Sequence, residues 1–330
     1  HFFDVNYETS DGRNLYNYFL ERGVNLLHND GGRLGFIIPI SIIASDSMES
    51  SRQLIYKLSG FAEFINIDSS ANPGTLFDDL KLRLSILFVN KNYHYENMKI
   101  YSSQFTKFFS DEREAIIPKI GTVEVPSEFI IDSRVPKIGS PIENSILKKL
   151  LQVDKNYFSY EVPKGQNILY YKATGYNYML AFKTPPFFEV NGKQVPNSKT
   201  KEIILRDDIL IEGAILVFST SLFYWFWTLY SNCFDFAKSD FKRFPIDLVC
   251  LNNYEEKLTY LYGIIKDDLE KNATLVAYNK ASGLTRYYQY KARYTKPLFD
   301  KVDDILANLY GLSDKELKFI TNYHKRFRTD

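Results

Sequence analysis

The chain has 330 residues, 45% hydrophobic and 25% charged, enough to bury a core in two or three domains and too apolar for a disordered tail. Forty-one Lys and Arg against forty Asp and Glu give a formal charge of +1, which excludes a uniformly basic, histone-like surface and leaves room for a local basic groove. Two cysteines, Cys233 and Cys250, exclude a disulfide framework. No Cys-x-x-Cys or clustered His/Cys spacing offers a zinc site, so the expectation is a cytoplasmic, reducing compartment and no metal.

Charge is unevenly spread: residues 1–100 sum to −3 and residues 251–330 to +3, so a polyanion should meet the later half. Aromatic residues make up 16%, about twice an ordinary share; such rings serve cores and base-stacking surfaces alike. Residues 1–11 hold three acids and no apolar run, unlike a signal peptide. The most apolar stretches, 34–44 and 214–227, fall short of the roughly 18 residues a span requires, so no membrane is expected.

In chain order, residues 14–27 place Leu15, Tyr18, Phe19, Val24, Leu26 and Leu27 near helical spacing, before a turn at HNDGG, and predict an amphipathic helix. RLGFIIPIS reads as a strand buried on both faces, as in a parallel sheet. A helix over about 46–58 follows, capped by Ser45 or Asp46, then strands at 62–67 and 83–89. That rhythm is the closing half of a doubly wound α/β domain, without its opening half. Residues 111–145 carry four prolines and predict a linker. The region 146–250 is mixed: a helix near 143–152, strands in NILYYKA and KEIILR, and an aromatic helix over 215–230 whose stripe (Leu216, Phe223, Phe226, Trp227, Tyr230) suits a core. Beyond 251 the pattern is helical.

No complete active site emerges. There is no G-x-G turn for a nucleotide or methyl donor, and GGRLG (Gly31, Gly32, Gly35) precedes a strand, as a tight turn does. His1, His28, His94 and His324 lack partners at metal-ligand spacing, and no G-x-S-x-G elbow supplies a nucleophile. The pairs Asp78/Asp79 and Asp303/Asp304 are expected to face water. In TPPFF at 184–188, Thr184 stands where an Asn or Asp would be needed to hold an adenine amine.

Residues 15–91, from LYNYFLERGVNLLHNDGGRLGFIIPIS through LFDDLKLRLSILFVNK, resemble the segment that follows the Asn-Pro-Pro-Tyr motif in adenine-specific DNA methyltransferases of restriction-modification systems, closest to type IIG methylases with a TaqI-like specificity domain. YYKATGYNYMLAFKTPPFF, STSLFYWFWTLYSNCFDFAKSDFKRFPI and TKPLFDKVDDILANLYGLSDKELKFITNYHKRFR resemble the family's target-recognition region and helical closure, in the same order. The resemblance implies a C-terminal part of a larger enzyme: residues 1–110 end the catalytic domain, 111–250 form linker and DNA target-recognition domain, and 251–330 a helical C-terminal region. The implied fold class is α/β plus α+β, half of a doubly wound methyltransferase sheet followed by a mixed recognition domain. The S-adenosylmethionine loop and the Asn-Pro-Pro-Tyr motif belong to the missing N-terminal catalytic half, so this chain alone should bind no cofactor and not methylate. The family's base-stacking aromatic matches Phe88, or Val89 if the alignment slips by one; core packing of Phe88 is the plainer alternative.

Double-stranded DNA is the implied partner. Phosphates require Lys, Arg or amides, and base edges require Asn, Gln, Arg, Lys, Ser or Thr. Three clusters supply them: Tyr170, Tyr171, Lys172, Thr174, Tyr176 and Asn177 around Gly175; Lys199, Lys201 and Arg206; and Lys238, Ser239, Lys242 and Arg243. A fourth run, Arg286, Lys291, Arg293 and Lys296, interleaves with tyrosines as along a phosphate backbone. For each, a solvated polar face is the competing reading, for the last a helix face. Two other functions stay open: a non-catalytic DNA-specificity module acting with a separate catalytic subunit, and a nuclease.

Overall fold

The computed structural model describes residues 7–12, 14–70, 74–78, 80–92, 98–174, 177–280 and 283–328. His1, Asp79, His94, Gly175 and Tyr176, named above, lie outside them. The chain divides into two compact units, residues 1–148 with 228–232, and 149–227 with 233–330.

The first unit is built on a five-stranded sheet. Helix α1 (Leu15–Leu26) starts at Asn14, whose side chain accepts from the Tyr16 N–H, a local N-cap. Its last-turn carbonyls, Val24 O and Leu27 O, accept from the buried Lys91 ammonium at 3.1 and 3.4 Å, so a cation closes the negative end of the helix. Strand β1 (Asp30–Pro39) follows, then α2 (Glu49–Leu58), β2 (Ser59–Ser69), β3 (Leu82–Asn92), β4 (Lys99–Ser103) and β5 (Thr122–Glu124), in sheet order β1-β3-β2-β4-β5. Strand β3 is antiparallel to both β1 and β2. β1 and β2 therefore run parallel to each other, joined across the inserted β3 by α2.

This corrects the expectation for RLGFIIPIS. The strand is not buried on both faces within a parallel sheet: it alternates between more and less exposed positions and pairs only with β3 among the described residues. One face of the strand is more covered than the other, and separately its outer edge has no strand neighbour among the described residues. Residues 111–145 are no free linker either, since Val125, Phe129, Val135 and Ile138 are core residues and residues up to 148 belong to the first unit.

The second unit holds two small sheets and a helical core. Strands β6 (Asn167–Lys172), β7 (Ala181–Phe182) and β10 (Thr200–Leu205) form the order β10-β6-β7, while β8 (Phe188–Val190) and β9 (Lys193–Gln194) join the hairpin β11 (Ala273–Lys280) and β12 (Gly283–Tyr290). Between them run α3 (Ile211–Phe218), α4 (Ser221–Tyr230), α5 (Lys238–Arg243) and α6 (Glu255–Lys271); α7 (Lys296–Tyr310) and α8 (Asp314–Asn322) follow. The region beyond 251 is thus not helical throughout, and Arg286 lies on a strand instead of a helix face. The alternating apolar and aromatic residues of ATLVAY and GLTRYYQY, separated by Asn-Lys-Ala-Ser, carried that signal.

The aromatic stretch 211–230 is two helices meeting at 58°. Thr220 Oγ1 accepts from the Phe223 N–H at 3.1 Å, and the Asp303 carboxylate accepts from the Ser221 and Leu222 N–H groups, each at 3.0 Å. Three otherwise unpaired donors of a helix start are satisfied at the bend. Asp303 is 1% exposed, so the expectation that it faces water is wrong; Asp304 does face water. Below the bend Phe218, Phe223, Phe236, Phe241, Phe244, Tyr157 and Tyr171 form one ring cluster, with Phe218 stacked on Phe241 at 5.1 Å and 15°. Much of the aromatic excess is therefore core.

Candidate functional site

Two surfaces gather the predicted residues, one on each unit. On the first, β3 alternates faces: Leu87 and Val89 are buried while Phe88 is 42% exposed. Phe88 therefore neither packs in the core nor exchanges places with Val89. Its cross-strand partners are Gly35 on β1 and Glu63 on β2. A Cβ at Gly35 would lie 3.3 Å from the Phe88 ring, so the glycine leaves the ring room beside β1. Phe61, Arg33, Leu34 and Asn90 join Phe88 around a shallow cleft of ≈ 440 Å³. Ile37, two positions from Gly35 and on the same face, is also exposed, as are Leu15, Phe19 and Leu26 along one side of α1. The apolar positions of α1 are thus split: Leu20 and Val24 are core, and the others form an uncovered stripe. With the outer edge of β1, which has no strand partner among the described residues, this is an apolar margin with backbone groups available for pairing.

On the second unit, the β10–β6 pairing sets Lys172 opposite Thr200 and Tyr171 opposite Lys201. Lys201, Lys238, Asn197, Tyr170 and Thr200 line an open cleft of ≈ 710 Å³. Thr174, Lys199, Lys201, Lys238 and Lys242 are exposed. Lys201 and Lys242 have no carboxylate partner among the described residues, whereas Lys238 pairs with Glu161, Lys199 reaches Asp235 at 4.0 Å, and Arg206 pairs with Asp208 at 2.7 Å. Lys172 is half-buried, without a carboxylate partner among the described residues, 5.3 Å from the Tyr290 ring centroid, and desolvation holds its ammonium below the usual lysine range. A cation of that kind gains from an incoming anion.

Other predicted residues do not reach this surface. Tyr171 is 2% exposed and packs on Phe218, Phe236 and Phe241; burial pushes its phenol up to about 12. Arg243 is 8% exposed and held by Asp240 at 3.2 Å. Both are structural, because the strand and helix that carry them turn these positions inward. Arg286 is tied to Glu189 at 2.5 Å, Arg293 lies on the Tyr294 ring at 4.7 Å, and Asn177 offers its backbone carbonyl to Arg328. Lys296 is buried and paired with Asp300. Of that fourth run, Lys291 is exposed without a carboxylate partner among the described residues. Thr184 to Phe187 line a cavity in the same unit that sequence reasoning had not found.

Residues 1–72 match the family of Eco57I restriction-modification methylases. This segment is related to restriction-modification methylases. No curated protein matches the chain. Among solved structures the chain is similar to a DrdV–DNA complex determined by cryoEM, at 18% identity over 34% of this chain and 12% of that one, TM-score 0.29. It is also similar to a nuclease-deletion mutant of the Type ISP restriction-modification enzyme LlaGI with a DNA substrate mimic, at 15% identity over 48% and 15%, TM-score 0.33. A third is the ATP-dependent Type ISP restriction-modification enzyme LlaBIII bound to DNA, at 8% identity over 95% and 33%, TM-score 0.37. The chain spans between 12% and 33% of the length of these proteins.

Proposed function

We propose that this chain works as the C-terminal part of an adenine-specific DNA methyltransferase of a restriction-modification system, in the cytoplasm, with the first unit closing the catalytic sheet and the second contacting double-stranded DNA. The match of residues 1–72 to restriction-modification methylases carries the reading. The margin made by the β1 edge, Ile37 and the Leu15–Phe19–Leu26 stripe supports it, because an apolar stripe beside a strand edge without a partner among the described residues suits a sheet that continues into another segment.

S-adenosylmethionine does not fit the residues present. A Cβ at Gly32 would meet the His28 backbone oxygen at 2.6 Å, so this glycine closes a turn and leaves no cradle for a ligand, and no G-x-G turn occurs in the sequence. On this reading the donor and the amine-holding motif are supplied by a catalytic half outside these residues, and no chemical step is assigned to this chain. Its contribution is orientation: Lys201, Lys242 and Thr174 engage phosphates and base edges, and Phe88 meets the displaced adenine.

Methylation sequencing of the source genome with and without the gene tests the proposal. Loss of N6-methyladenine from one sequence context is expected; an unchanged methylation map refutes it.

A further inference from the structure

The Thr184–Phe187 segment borders a cavity of ≈ 380 Å³ within the second unit, inside the size range of small-ligand sites. Rings make its walls: Phe182 and Tyr290 lie 5.2 Å apart at 37°, Phe187 and Tyr288 5.4 Å apart at 51°, and the Tyr262 ring sits beneath the Lys183 ammonium at 5.3 Å. Ser219, 5% exposed, lines it, and its hydroxyl has no hydrogen-bond partner among the described residues. At the mouth Lys266 and Glu270 pair at 3.6 Å, both more than half exposed.

These features select an occupant. An aliphatic side chain would cover the Ser219 hydroxyl without satisfying it, which is unfavourable. A planar heterocycle presents a face to the rings and donors or acceptors on its edge to Ser219, Lys266 and Glu270. Position selects further: Pro185 lines both this cavity and the cleft that holds Lys201 and Lys238. A strand lying in the lysine cleft therefore passes the cavity, and Lys172 places a cation against the wall ring Tyr290.

We propose that the cavity takes one nucleobase turned out of a bound duplex, other than the adenine assigned to Phe88, stacked against the Phe187–Tyr288 pair with its edge on the Ser219 hydroxyl. The inference rests on the DNA-binding reading for the strand that carries the base; binding of the ring itself does not. Taking a base out of the stack is unfavourable, so a position already unpaired should bind tighter than a paired one.

The test uses the full chain and two duplexes, one fully paired and one identical except for a single unpaired 2-aminopurine. About tenfold tighter binding of the second is expected, with quenching of 2-aminopurine fluorescence as it stacks. Ala273→Trp, which fills the cavity, should remove both the preference and the quenching and leave affinity for the paired duplex unchanged. Tyr288→Ala, at a 41% exposed strand position, should weaken both without unfolding the chain, as circular dichroism would verify. Equal affinities without quenching, or quenching that survives both substitutions, overturns the proposal. If neither duplex binds, the DNA-binding reading fails and free 2-aminopurine riboside decides the cavity: quenching abolished by Ala273→Trp supports a ring site, and its absence refutes one.

Discussion

Asp303 offers a sharp test, because one buried carboxylate organises the bend between α3 and α4. Its oxygens accept from the Ser221 and Leu222 N–H groups at 3.0 Å each, and the residue is 1% exposed. Desolvation, only partly offset by those two hydrogen bonds and by Lys296, pushes the carboxyl up to about 6. Asp303→Ala leaves two buried donors without partners, at about 1–3 kcal/mol each, so a loss of about 2–6 kcal/mol is expected in urea unfolding. The pH dependence is more specific. With a folded pKa near 6 and an unfolded value near 4, the folded state binds the proton more tightly, so this group adds stability as pH falls from about 7 towards 4 and withdraws it as pH rises through 6. Between pH 7.5 and 4.5 the swing is about 2 kcal/mol. Asp303→Asn cannot titrate. The stability of wild type relative to Asp303→Asn should therefore rise by that amount on acidification, other groups cancelling in the difference. A difference that is flat, or that falls on acidification, refutes the account.

The surface and core assignments separate cleanly by substitution. Lys201→Ala and Lys242→Ala should each reduce the slope of log affinity for duplex DNA against log salt by about 1 and leave the melting temperature unchanged; unchanged slopes would remove these lysines from the interface. Tyr171→Ala, despite its place in the same sequence cluster, should cost about 3–5 kcal/mol in thermal or urea melts, because it empties a ring cluster. Arg243→Ala should cost about 3 kcal/mol by removing the cation that faces the buried Asp240 carboxylate, while replacing both partners with apolar residues should restore much of it. Phe88→Ala should change stability by less than about 1 kcal/mol and lower methylation by the reconstituted enzyme, whereas Val89→Ala should destabilise without a separate effect on methylation.

What was legible in the sequence followed from local physics. The helix over 14–27, the strands 62–67 and 83–89, the core role of the aromatic stretch and the helical pattern beyond 251, outside the β11–β12 hairpin, each announce themselves through period and branching. The residue types for a polar, cationic cleft were legible too. Their partners were not: Arg243 and Lys201 look equivalent in a string, but Asp240 lies one turn from the first while no described carboxylate reaches the second. Nor could periodicity reveal that Asp303, beside an exposed Asp304, points inward to close a helix start 82 residues away, or that Pro185 stands between two hollows.

By itself, then, the amino-acid order determined which segments would be helix or strand and which residues had the chemistry to meet a polyanion, since backbone preference and hydrophobic period act between near neighbours. Only the tertiary structure decided that β1 has one strand neighbour among the described residues, that Tyr171 is core and Phe88 surface, and that rings from three separate elements and the loop before β8 enclose one cavity. Those outcomes depend on which distant segments desolvate or pair a given side chain, and sequence neighbours do not encode that.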